Sequence, residues 1–395
     1  MSDFAQTGVI CTLQRLNEVH LAPLDCEWLP DRAARCPISL ILPCHAPDLK
    51  QPALRHICEQ LAGAQWLQRV VIPINGLPSS EQAAVRSQFA KQLPISHTLL
   101  FTDAPPLNDA LALAAGRPKE LLRPGKGLNV WAALGWLHAQ SIGGIYALQD
   151  ADVLSFNRPT LARLCFALAE EELQFDFAKM YYSRVTDRLY GRVSRLFLTP
   201  LLHSLVRVLG HHPLLDFLLG FRYPLAGECA LRASLASSLP FHEGWSLEIG
   251  MLCEVFRRIE PARVCQVDGG TGYDHKHQPA TGGLLGMCEQ IANTLLQQLA
   301  IEGCNVDHTI RETLLRTLQR ETAQAVKRSN ALARLNGITS STSQEIADAL
   351  HFTNTLPTGP LPAPRPLPSW ETVERLQPSA LELLLVSEKI PKPTA

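Results

Sequence analysis

The chain has 395 residues, 46% of them hydrophobic, with 36 basic and 37 acidic side chains. That is enough apolar material for one big domain with a second, smaller helical region, and the balanced charge advertises no polyanion, so nucleic acid is not an expected partner. No apolar run reaches the roughly 18–20 residues of a membrane span, and 11 cysteines without CxxC spacing, behind an N-terminus with no secretory signal, read as reduced thiols of a cytoplasmic protein.

Residues 1–36 show no clear periodicity. "CPISLILPCHAPD" (36–48) reads as a buried strand and its exit loop. "PALRHICEQLAGA" (52–64) has helical spacing. "VVIPINGLPSS" (70–80) is a second strand and loop, followed by a helix that starts near Ser80 with Glu81 in its first turn. "HTLLFTDA" is a third strand, "GLNVWAALGWLHAQ" (127–140) a helix, and "IYALQD" a fourth strand. Strands alternating with helices predict an α/β sheet with right-handed crossovers. Ligands of such sheets bind beyond the carboxyl ends of the strands, and "LPCH" (Pro43, His45), "PING" (Asn75) and "QDAD" all fall at that edge.

Further on, "LFLTPLLHSLVRVLG" (196–210) carries His203 and Arg207 and reads as a core or interface helix. Past residue 280, "LGMCEQIANTLLQQLAIEG" and "IRETLLRTLQRETAQAVKR" are amphipathic helices. "LPTGPLPAPRPLPSW" (356–370) is too rich in proline for a regular helix and reads as an extended strap or linker before a last short helix. The apolar 196–210 stretch and the C-terminal helices offer more hydrophobic surface than one domain readily covers, so a homodimer is expected.

The fourth strand ends in Asp150 and Asp152. Carboxylates at i and i+2 of a continuing strand diverge, but where the chain turns both can approach one hard cation, Mg2+ or Mn2+, that also binds a diphosphate. The plainer reading is a loop pair that caps the next helix. "RPGKGLNVW" places Lys126 just before a helix N-terminus, where an anion is welcome, without the spacing of a Walker A loop. "QVDGGTGYDHKHQP" carries Asp274, His275 and His277, and an imidazole there would complete a metal site with the two aspartates, unless the loop is simply a solvated polar one. Glu228 and Glu248 lie in largely apolar surroundings, either paired structurally or placed to accept sugar hydroxyls. Arg192 and Ser194 look like an anion fork with a hydroxyl beside it, and an exposed helix surface is the bland alternative.

Strand–DxD, an upstream GKG, "GRVS", "PLAGE", "EIG" and a late histidine, in that order, resemble glucosyl-3-phosphoglycerate synthases, retaining glycosyltransferases of the GT-A fold. The likeness covers roughly 37–301, is best from 125 to 279, and its longest match is "PLAGECA…LPFHEGWSLEIGMLCE". It implies an α/β, Rossmann-like GT-A fold with added C-terminal helices. It divides the chain into an extension (1–36), a nucleotide-sugar half (37–155), an acceptor half (156–300), C-terminal helices (301–355) and a strap and tail (356–395). By position, Asp150 would lie near the ribose and diphosphate, with Pro43, His45 and Asn75 at the same nucleotide edge. Asp152 would be the main metal carboxylate, with His275 a further ligand. Lys126 would touch the phosphate side, while Glu248 and the segment around Gly227 and Glu228 would hold the donor glucose. Gly191, Arg192, Ser194 and His277 would bind the acceptor, and Glu248, Asp152 and Arg192 would carry the catalysis.

The chain departs from the family pattern at two places. The first strand ends with His45 and Ala46 where an Asn-Glu pair that touches the nucleotide is usual; the resemblance favours UDP as the nucleotide, and the departure leaves GDP and ADP open. His277 stands where the family has an acceptor-binding asparagine, so beside 3-phosphoglycerate, the first acceptor by the resemblance, glycerate or another small hydroxy acid is the second. Rival readings are a nucleotidyltransferase, which would need a glycine-rich loop after the first strand that "LPCHAPD" lacks, and a sugar-nucleotide-binding scaffold with a decayed site.

Overall fold

Neighbouring residues of the central strands divide between two apolar cores. Ile41, Val71, Leu100, Tyr146 and Leu148 belong to one, and Leu40, Val70, Ile72, Leu99, Ile145 and Ala147 to the other. That is the period of two expected of strands buried on both faces, and it is why they read as continuous apolar runs. The structure, a computed structural model, describes residues 8–16, 24–271, 283–339 and 342–386.

Its strands are β1 (Cys11–Leu13), β2 (Ile38–Ile41), β3 (Cys44–His45), β4 (Leu67–Asn75), β5 (His97–Phe101), β6 (Ile145–Leu148), β7 (Phe177–Ser183), β8 (Cys229–Arg232) and β9 (Val264–Thr271). Across the sheet the order is β1-β9-β7-β8-β6-β2-β4, with β3 and β5 both pairing with β4. Only β8 runs antiparallel to its neighbours, β6 and β7, among the described strands. The four strands expected from sequence are β2, β4, β5 and β6. The 36–48 run splits because β2 ends at Ile41, and the chain resumes pairing with β4 at Cys44–His45, opposite Ile74 and Asn75.

The sheet also reaches beyond the nucleotide-sugar half. β7, β8 and β9 continue it through the acceptor half, and β1, from the N-terminal extension, closes its edge in parallel with β9. Helices cover both faces: Pro52–Leu61, Gln82–Gln92 and Arg158–Ala169 supply one core, and Leu107–Ala115, Lys126–Ala139, Leu247–Arg258 and Gly283–Ile301 the other.

The 196–210 stretch forms the Thr199–Leu209 helix, which buries Leu201, Leu202 and Leu205 and packs on the long His308–Leu335 helix. It is therefore a core helix. The apolar face of the 196–210 stretch is covered within the chain, which corrects that part of the argument for a dimer and leaves the part that rests on the C-terminal helices.

The proline-rich segment is a strap. Phe241 and Leu367 exchange both backbone hydrogen bonds, at 3.0 and 2.7 Å. Trp370, fully buried, stacks on Trp131 with ring centroids 4.4 Å apart and donates from Nε1 to the Trp131 carbonyl, while Trp131 Nε1 donates to the Pro368 carbonyl. Two short helices follow, Trp370–Leu376 and Pro378–Val386.

Candidate active site

A cavity of about 550 Å³ opens at the carboxyl ends of β2, β4 and β6. Pro43, His45 and Asn75 line it from the first two strand ends, and Asp150 and Asp152 from the third. Lys126 enters from the first turn of its helix, Glu248 from the first turn of another, and Gly227 from the loop before β8. Gly191, Arg192 and Ser194 close the far wall. The expected edge and the expected residues thus come together, with three exceptions.

Glu228 is one. It is fully buried and does not line the cavity; Gln149 Nε2 donates to its Oε1 at 3.2 Å and the Tyr182 hydroxyl to its Oε2 at 2.7 Å. The carboxylate is hydrogen-bonded beneath the site, so its reading as a sugar ligand is corrected to a structural one. The other two, His275 and His277, lie outside the described residues. Among the described residues no group of three or more His, Cys, Asp or Glu side chains could hold a metal.

Lys126 does not stand alone before a phosphate. Its Nζ lies 2.5 Å from Asp150 Oδ1 and 2.8 Å from Glu248 Oε1, tying the β6 carboxylate to the helix Leu247–Arg258. Burial works against the ammonium, but Asp150, then Glu248 and Glu228, outweigh it, and its pKa stands well above the usual lysine value. Gly227 permits this pair: a Cβ there would fall 2.3 Å from Asp150 Oδ2 and 2.4 Å from Lys126 Nζ. Asp150 is held on one oxygen by Lys126 and lies close to Gly227 on the other, and Asp152 lines the same cavity. The carboxylates of Asp150, Asp152 and Glu248 gather at this edge around one ammonium. A hard divalent cation fits those oxygen donors.

The nucleotide edge is built on Asn129, which the sequence reading did not single out. It sits one turn after Lys126, is 1% exposed, and donates from Nδ2 to Asn75 Oδ1 at 2.9 Å and to the Cys44 and Pro73 carbonyls at 3.1 and 3.3 Å. Thr102 Oγ1 donates to its Oδ1 at 2.8 Å. It thereby joins the ends of β3, β4 and β5 and presents Asn75 to the cavity. His45 Nδ1 lies 3.1 Å from Asn75 Nδ2, and the ring covers Gly76, whose φ of +77° and lack of a side chain let it approach. An asparagine inside an otherwise apolar helical run was the available signal.

Tyr182, Arg184, Tyr190, Tyr223 and Trp245 also line the cavity. The Tyr182 and Tyr223 rings meet edge to face at 5.1 Å, and Arg184 Nη1 donates to the Tyr223 hydroxyl at 3.4 Å. Arg184 thus sets a second guanidinium near Arg192 and Ser194, so the wall facing the carboxylates is cationic and suits an anionic acceptor. Arg192 is itself ion-paired: its Nη1 lies 2.6 Å from Asp348 Oδ2, on the helix Thr342–Thr353.

No protein-family model matches the chain. A curated glucosyl-3-phosphoglycerate synthase of Persephonella marina is 34% identical to it over 343 residues, covering 86% of this chain and 85% of the relative. The enzyme of that name from Methanococcoides burtonii is 31% identical over 311 residues, or 76% of each. Among solved structures, glucosyl-3-phosphoglycerate synthase from Mycobacterium tuberculosis in complex with phosphoglyceric acid matches with a TM-score of 0.54 at 21% identity, over 74% of this chain and 88% of that one. The same enzyme with Mn2+, UDP-glucose and phosphoglyceric acid matches with a TM-score of 0.53 at 21% identity, over 73% and 87%. At that identity the structural likeness shows the fold, which is GT-A.

Proposed function

The chain belongs to the glucosyl-3-phosphoglycerate synthase family and is a hexosyltransferase, and from that premise we propose that it moves glucose from UDP-glucose to the free hydroxyl of 3-phosphoglycerate, with retention at the anomeric carbon. The observation that carries this reading is the Lys126 bridge, which joins the carboxylate at the nucleotide edge to the one that would hold the sugar. The relatives solved with Mn2+ or Mg2+ and a uridine diphosphate support it.

Asp150 and Lys126 face the ribose and diphosphate, and Asn75 and His45 bound the base. Glu248 gives one oxygen to Lys126 and accepts a glucose hydroxyl on the other. Arg192 and Ser194, with Gly191 at the turn, receive the acid or phosphate of the acceptor. A divalent cation, Mg2+ or Mn2+, held by Asp152 and completed by His275, would supply the positive charge that a departing diphosphate needs. The acceptor oxygen attacks the anomeric carbon on the face from which the diphosphate leaves, and the departing phosphate oxygen takes the acceptor proton. No side chain needs to act as a nucleophile.

The test is a matrix of UDP-, GDP- and ADP-glucose against 3-phosphoglycerate, glycerate and related hydroxy acids, with mass detection. Glucosyl-3-phosphoglycerate and UDP are expected only when cation, UDP-glucose and 3-phosphoglycerate are all present. Release of pyrophosphate from a nucleoside triphosphate and sugar phosphate would instead mark a nucleotidyltransferase, and absence of any transfer a binding protein. Two copies are also proposed to associate, now through the exposed Leu332, Leu335, Ile346 and Leu350 at the end of the long helix and on the Thr342–Thr353 helix. A monomer mass that does not change with concentration in sedimentation would overturn that.

A further inference from the structure

The Thr342–Thr353 helix buries two acids within its apolar inward face. That face carries Ala349 and Phe352 together with Glu345 and Asp348, the acids 9% and 1% exposed, while Ile346 and Leu350 point outward, each 56% exposed. Burying carboxylates is compensated only where each finds a charged partner. Both acids do, and both partners belong to the segment proposed to hold the acceptor. Asp348 Oδ2 receives Arg192 Nη1 at 2.6 Å, and its Oδ1 receives Gln344 Nε2 at 2.8 Å. Glu345 pairs with Arg195, one turn beyond Arg192. Arg195 in turn donates from Nε to the Tyr190 carbonyl at 3.0 Å and from Nη2 to the Leu189 carbonyl at 3.1 Å, fastening the backbone that leads into Gly191.

We infer that Asp348 is a positioning residue for acceptor binding: held by Gln344 and clasped to Arg192, it fixes the orientation in which the guanidinium lines the cavity. Glu345 does the same for the approach to the turn through Arg195. The inference rests on the reading that Arg192 binds the acceptor. An arginine has four soft torsions, and a guanidinium that must be ordered at each binding event binds less tightly than one already fixed. Asp348 also removes part of the field of Arg192, an effect that by itself weakens anion binding. The fixed orientation is the larger effect in this proposal, and the experiment decides between the two by sign.

Acceptor KM and kcat are measured for Asp348→Ala, Asp348→Asn, Gln344→Ala and Arg192→Ala, with thermal melts to check folding. Asp348→Ala should raise the KM for 3-phosphoglycerate roughly three- to tenfold, the loss expected when one long side chain must be ordered on binding, with kcat at saturating acceptor nearly kept. Asp348→Asn retains an oxygen for Arg192 and should restore most of the KM. Gln344 is exposed, so Gln344→Ala folds, and it should raise KM in the same direction by a smaller factor. Ala347→Ser, at an exposed position of the same helix, should leave KM unchanged. If Asp348→Ala lowers the melting point but leaves the acceptor KM as it was, the role is structural and the inference falls. If Asp348→Ala lowers KM, Asp348 competes with the acceptor for Arg192, and the inference falls as well. If Arg192→Ala leaves KM unchanged, the acceptor reading itself fails; if it raises KM while Asp348→Ala does not, only the positioning role is lost.

Discussion

Replacing Lys126 by methionine tests the bridge at the centre of the site. With Asp150 Oδ1 at 2.5 Å and Glu248 Oε1 at 2.8 Å from one nitrogen, the two carboxylate oxygens lie no more than about 5 Å apart. Without the ammonium, two negative charges at that separation repel by about 3 kcal/mol at an effective dielectric constant of ~20. For a chain of 395 residues this corresponds to a fall of about 4 °C in melting temperature. The effect on transfer is separate: losing a charge-assisted contact of about 1.5–3 kcal/mol lowers kcat/KM roughly ten- to hundredfold. The raised pKa of Lys126 sets the pH window. A raised folded pKa gives stability that is fully present below the unfolded value, about 10.4 for lysine, and is lost only as pH rises through the folded one. The difference between parent and variant should therefore be flat from pH 7 to 9. Lys126→Arg should not rescue activity, because the lysine nitrogen occupies the space beside Gly227, where even a Cβ would fall 2.4 Å from it, and a longer, planar head group could not keep both carboxylate contacts. The assay is differential scanning calorimetry at three pH values beside steady-state transfer. A variant that melts within a degree of the parent and keeps a third of its activity would refute the bridge.

Transfer should require a divalent cation, and Asp152→Ala should abolish most turnover while changing stability by only about 0.5 kcal/mol, as for a carboxylate at a cavity wall; full activity in excess chelator would sink this. Arg192→Lys should raise the acceptor KM roughly tenfold or more, since an ammonium cannot reproduce the planar fork, and leave the donor KM in place; equal weakening of both would mean that the acceptor site is elsewhere. Burial, and then the charge of Arg257, hold the His242 imidazole down at about 4. The unfolded chain protonates this residue near 6.5 and so binds the extra proton first. Stability should therefore fall by about 3 kcal/mol as pH drops from 6.5 to 4, measured by urea unfolding, and His242→Gln should remove that slope.

The sequence was most informative where one strand's own chemistry sufficed. β2, β4, β5 and β6 are buried on both faces, so apolar runs marked them, and the aspartates that end β6 marked the edge where ligands bind. It was least informative where partners are distant. Lys126 read as a phosphate contact because its local setting, a glycine turn before a helix, is that of an anion site, while the carboxylates that claim it are contributed by β6 and by a helix 122 residues further on. Glu228 was left between two readings because its partners, Gln149 and Tyr182, meet it only through the register of β8 with β6 and β7. β7 itself was missed. Its Lys179 interrupts the apolar pattern, yet that lysine is 1% exposed and donates to the Ala226 carbonyl at 2.6 Å, behind the Gly227 turn. With β7 went Tyr182 and Arg184, the residues that line the cavity from its end.

The departure at His45 bears on whether the site is intact. A decayed nucleotide edge would be free to lose its polar contacts, because a satisfied buried polar group is no more stabilising than well-packed apolar atoms, while an unsatisfied one costs about 1–3 kcal/mol. Here the edge is a complete network: Thr102 donates to Asn129, Asn129 donates to Asn75 and to two strand carbonyls, and Asn75 meets His45 over a glycine that only a bare backbone could supply. The acids of the Thr342–Thr353 helix follow the same logic beside Arg192 and Arg195, buried against those arginines next to Ala349 and Phe352. Both walls of the cavity hold polar groups in orientation through hydrogen bonds and ion pairs. His45 is thus a hydrogen-bonded part of an ordered edge, and in the proposed function the His45–Asn75 pair bounds the base where an asparagine–glutamate pair is usual.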